Sequence, residues 1–85
     1  MINESTVNIS KRFFEALHAL IQRGDLAGKQ TFTNQYGIDR WNMNRVEKDP
    51  EKLSVQMTWI AHLVKDYGVS ARWVLTGQGK MFSKE

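Results

Sequence analysis

The sequence predicts an all-α fold, a compact five-helix bundle forming one domain over 1–85 with its core between about 7 and 77. Two observations carry that expectation. Apolar side chains recur at steps of three and four along most of the chain, which stripes helices instead of alternating as strands do. Each periodic stretch is also closed by a glycine or by Asp49-Pro50, where backbone leaves helical geometry readily. The length of 85 residues suits a single domain, and a hydrophobic content of 41% supplies a modest core.

The first helix is expected over 7–23. Phe13, Phe14, Leu17, Leu20 and Ile21 share one face, and Gly24 ends it. In the middle, Thr31-Phe32-Thr33 favours strand on propensity alone. The wider spacing favours helices, with Phe32 and Tyr36 four apart and Met43 and Val46 three apart. These residues predict two short helices over about 28–48, joined by Gly37-Ile38-Asp39. Gly37 supplies turn freedom, Ile38 plugs the angle and Asp39 caps the second helix. The fourth helix is expected over 54–67, with Ser54 as N-cap, Trp59, Ile60, Leu63, Val64 and Tyr67 as its apolar stripe, and Gly68 as its stop. Ser70 caps a short fifth helix carrying Ala71, Trp73, Val74 and Leu75, which Gly77 closes. Phe13, Phe14, Trp59 and Trp73 are expected in the core.

Composition narrows the function classes. The chain has no cysteine, which removes disulfides, thiol catalysis and thiolate zinc. His18 and His62 belong to no cluster of ligand-type side chains, so no metal, no cofactor and no small-molecule ligand is expected. Without a nucleophile–base pair, neither is an enzyme. Gly77-Gln78-Gly79-Lys80 lacks the earlier glycine and the Ser or Thr of a phosphate loop. No apolar run approaches a membrane span, and Met1 to Thr6 show no export signal, so a cytoplasmic protein is expected. Twelve basic residues face nine acidic ones, a net +3. The excess leans to the middle, where Lys29, Arg40, Arg45 and Lys48 outnumber Asp39 and Glu47 by two, as suits a polyanion partner.

A helix-turn-helix docks on DNA by laying its second helix in the major groove, which demands one apolar and one polar face. Over 40–48, Met43 and Val46 form the inner face, while Trp41, Asn44, Arg45 and Lys48 fall opposite, with Arg40 at the exposed start. Arg forks onto guanine O6 and N7, and an amide can pair with adenine N6 and N7. Lys29 and Gln30 open the preceding helix, where a cation and backbone N–H groups can hold phosphate.

Residues 31–47 resemble the helix-turn-helix of Cro and lambda-repressor-like regulators. The resemblance rests on Phe32 and Thr33 before the turn glycine Gly37, then on Ile38, Asp39, Met43, Val46 and Glu47. Residues 67–79, from Tyr67 to Gly79, are similar to the closing segment of phage-repressor-type DNA-binding domains. Together they imply a lambda-repressor-like five-helix domain that binds double-stranded DNA as a homodimer and regulates transcription. By that matching Arg40, Trp41, Asn44 and Arg45 face bases, and Lys29 and Gln30 hold phosphates; Lys48 joins the phosphate set. Thr33 stands where alanine is customary, Asp39 where Ser or Thr is usual, and Trp41 where a short polar side chain is expected. Trp41 either meets a sugar or a thymine methyl, or folds back over a neighbouring helix. Met81, Phe82, Val74 and Leu75 gather apolar surface that either pairs two subunits or caps the core. An alternative reading is a protein-interaction module that uses the Trp41 face as an apolar hot spot.

Overall fold

The computed structural model describes residues 3–83 and contains five helices. Met1 and Ile2, part of the stretch read for an export signal, lie outside them. Helix α1 (Glu4–Arg23) starts three residues before its first core side chain, because Asn3 accepts a hydrogen bond from the Thr6 N–H at 2.8 Å and caps the extra turn. Val7, Phe13, Phe14, Ala16, Leu17 and Leu20 are buried along one side of it. At about 1.5 Å per residue it is a rod of roughly 30 Å, and all four other helices pack on it.

Helix α2 (Lys29–Tyr36) forms despite the strand propensity of its Thr-Phe-Thr run, since Phe32 and Thr33 must share one buried face. Thr33 is buried with its hydroxyl satisfied, donating back to the Gln30 carbonyl at 3.0 Å. Gly37, at φ 65°, closes α2 in the left-handed region, where a side chain would be strained. Helix α3 (Arg40–Lys48) begins at once, its first turn capped by Asp39, which accepts from the Trp41 N–H at 3.0 Å.

Helix α4 (Met57–Tyr67) starts later than its apolar pattern suggests, and Ser54 does not cap it. Residues 53–56 are not helical. The Val55 N–H there donates to the buried Ser10 hydroxyl at 3.2 Å, tying this stretch to α1. Helix α5 (Ala71–Thr76) is capped as expected: Ser70 Oγ accepts from the Trp73 N–H at 3.2 Å. Its last carbonyls are met from α1, where Arg12 Nε donates to Val74 O at 2.7 Å and its terminal nitrogen to Leu75 O at 3.2 Å. The tail then returns, making one antiparallel bridge between Val69 and Phe82; the described residues contain no β-strand. No described helix is long and apolar enough to cross a membrane.

The core gathers side chains from every helix, among them Phe13, Leu17, Phe32, Met43, Trp59, Leu63 and Val74. Trp73, expected inside, is half-buried at its edge. Phe13 sits edge-on to Phe14 and Phe32, with centroids 5.0 and 6.1 Å away. Two phenols fasten α2 to α4: Tyr36 donates to Asp66 Oδ2 and Tyr67 to Gln35 Oε1, both at 2.6 Å. Burial, the hydrogen bond to Asp66 and that carboxylate's charge all push the Tyr36 phenol well above its usual range.

Candidate nucleic-acid interface

The geometry of α3 follows from two methionine–valine positions. Met43 and Val46 are fully buried against α1 and the core, so the remaining arc of this short helix must face water. Arg40, Trp41, Asn44, Arg45 and Lys48 are all exposed on it. None of Arg40, Arg45 and Lys48 makes an ion pair among the described residues. Trp41 does not fold back over a neighbouring helix: it is 72% exposed, and the Arg45 guanidinium lies over its ring at 5.6 Å from the centroid. That spacing admits a cation–π contact one helical turn apart, aligning both side chains on the outer face.

Beside this face lies a shallow depression lined by Gly28, Lys29 and Gln30 from the start of α2 and by Arg40, Asn44, Glu47 and Lys48 from α3. Gly28 offers no side chain to cap α2, leaving that helix start uncapped beside the cationic face. Lys29, read from sequence as a phosphate contact, is already engaged. Its ammonium donates to Glu47 Oε1 at 2.6 Å and to Asn44 Oδ1 at 3.0 Å. Glu47's other oxygen accepts from His18 Nε2 at 2.6 Å, so His18 is not isolated but ties α1 to α3. Helical spacing could not have found this partner, since 29 residues separate the two. The sequence signal available was Glu47 itself, the residue after the buried Val46.

Glu47 is the electrostatic centre of the cluster. Partial burial alone would raise its carboxyl, but hydrogen bonds and charge from Lys29 and His18 outweigh that and hold it below its ordinary value near 4.5. A carboxylate depressed on folding stabilises above its unfolded value, and loses that contribution as pH falls through the folded one. Glu47→Gln should therefore cost about 1 kcal/mol or less at pH 7, as these side chains are partly exposed. The difference in melting temperature between the two proteins should shrink as pH falls from the ordinary carboxylate value near 4.5 through the lowered folded one. A gap that persists unchanged under acid would show that the contact is not ionic.

A second surface shares no lining residue with this depression. Ile9 on α1, Val55, then Met57, Ile60 and Val64 on α4 and Leu75 on α5 line an apolar groove. Met57 is 84% and Leu75 49% exposed. Of the four C-terminal residues read as apolar surface, Val74 is fully buried while Met81 and Phe82 are half-buried against the core. Phe82 is covered further by the Arg23 guanidinium, 4.1 Å from its centroid. Only Leu75 remains for pairing.

Comparison of the chain with family models, curated proteins and solved structures gave no match in any of the three.

Proposed function

We propose that this chain is a sequence-specific DNA-binding protein, a repressor-like transcriptional regulator that occupies an operator and reads the major groove with α3. One observation carries the reading: Arg40, Asn44 and Arg45 project together from a helix whose Met43 and Val46 are buried. That combination matches what groove readout needs, forked or amide donors held on a rigid element. Lys48, Gln30 and the uncapped start of α2 lie around the same depression and supply phosphate contacts. Lys29 contributes the ammonium proton that its two bonds to Glu47 and Asn44 leave over. A homodimer completes the proposal. The Met57–Leu75 groove is its pairing surface, because a two-fold interface needs one patch offering both projecting and receiving apolar groups.

Selection of bound duplexes from a random library, with affinity measured against salt, tests both halves. The expected product is a palindrome with half-sites about 34–36 Å apart. Neutralising about six phosphates per dimer predicts a loss of roughly 10³-fold between 50 and 200 mM salt. A flat salt response would remove the electrostatic basis of the proposal. A second reading, a protein-interaction module, is favoured by one observation: Trp41 is 72% exposed at the centre of this face.

A further inference from the structure

We infer that Lys29 and Glu47 form a specificity latch, turning the Asn44 amide so that this side chain presents its NH2 donors and selects guanine at the base it faces. The inference rests on the DNA-binding reading and deepens it. An ammonium has three donors and no acceptor, so the Asn44 atom 3.0 Å from Lys29 Nζ must be the amide oxygen. Glu47 holds that ammonium in place at 2.6 Å, and His18 holds Glu47 in turn at 2.6 Å. The latch therefore spans α1, α2 and α3, and leaves the amide NH2 for an incoming base. Trp41, Arg40, Arg45 and Lys48 likewise carry donors alone.

Sequence reasoning alone allowed Asn44 to bridge adenine N6 and N7, which requires both its oxygen and its nitrogen to face the base. With one lone pair of the oxygen taken, an adenine N6 amino group would have to share that oxygen with the Lys29 ammonium, donor against donor. Guanine presents two adjacent acceptors, N7 and O6, whereas thymine presents one and cytosine a donor. Guanine is thus the edge that a donor-only amide matches best. Lys29 and Glu47 act here as positioning residues, through Asn44.

The test selects duplexes from a random double-stranded library with the unmodified chain, Asn44→Ala and Lys29→Met, the folding of each checked by circular dichroism. The unmodified chain should enrich guanine over adenine about tenfold at one position per half-site. Asn44→Ala should flatten that position alone, and Lys29→Met should move it toward adenine. A merely structural Lys29 would lower affinity without changing the base. Three outcomes overturn the latch while leaving the DNA-binding reading intact: adenine preferred at the Asn44-dependent position, an unchanged Asn44→Ala profile, or guanine retained by a folded Lys29→Met. If Lys29→Met does not fold, the unmodified chain and Asn44→Ala decide between guanine and adenine by themselves. If the unmodified chain enriches no sequence, the latch and the underlying reading fall together.

Discussion

Arg45→Ala is expected to weaken binding to a selected duplex by about 10- to 100-fold and to relax base preference at one position, as the loss of a bidentate guanidinium does. Fluorescence anisotropy against the selected and a scrambled duplex reads both effects. Stability should hold, because the side chain is exposed and alanine is at least as good a helix former. The same variant separates the two functional readings. As an interaction module, the chain would bind its partner through the indole, 72% exposed. Arg45→Ala would then leave partner binding largely intact while Trp41→Ala abolished it. A scrambled duplex bound as tightly as the selected one, before and after substitution, would count against base readout.

The largest effect on stability is expected from Phe32→Ala. Phe32 is fully buried where α1, α2 and α4 meet, with ring centroids of Phe13, Tyr36, His62 and Tyr67 between 5.0 and 6.5 Å away. Truncation removes its transfer free energy and leaves a cavity walled by rings that cannot collapse freely, a loss of about 3–5 kcal/mol. Against a total of about 5–15 kcal/mol for a typical domain, that is a large fraction. Urea unfolding should show the midpoint falling with an unchanged slope. Phe32→Leu, which keeps most of the volume, should lose far less. Equal losses from the two variants would mean the ring environment contributes little beyond apolar bulk.

How much was legible in the sequence depended on whether the deciding contact was local. Four of the five helices could be closed because Gly24, Gly37, Gly68 and Gly77 follow their apolar stripes, each in left-handed backbone, while Asp49-Pro50 marks the end of α3. Asp39 and Ser70 cap within their own first turns, so their roles could also be read. The start of α4 could not. Ser54 has the chemistry of a cap, but Ser10, 45 residues from Val55, takes the neighbouring N–H and keeps that stretch off the helix. The outward face of α3 followed from Met43 and Val46 alone. The condition of its side chains did not, since Lys29 and His18 reach Glu47 across 18 and 29 residues. Periodicity likewise gave Val74 and Leu75 similar standing, although one is fully buried and the other half exposed.

The arrangement of Arg12 and His18 on α1 carries a mechanical corollary. Arg12 grips the last carbonyls of α5, and His18 grips Glu47 on α3. Six residues of one helix separate them, a rise of about 9 Å. On the proposed reading, α5 belongs to the pairing side and α3 to the groove side, so this stretch of α1 acts as a ruler between them. The span from one copy's reading helix to the other's is then gauged by rigid helical rise and insulated from the drift of surface loops.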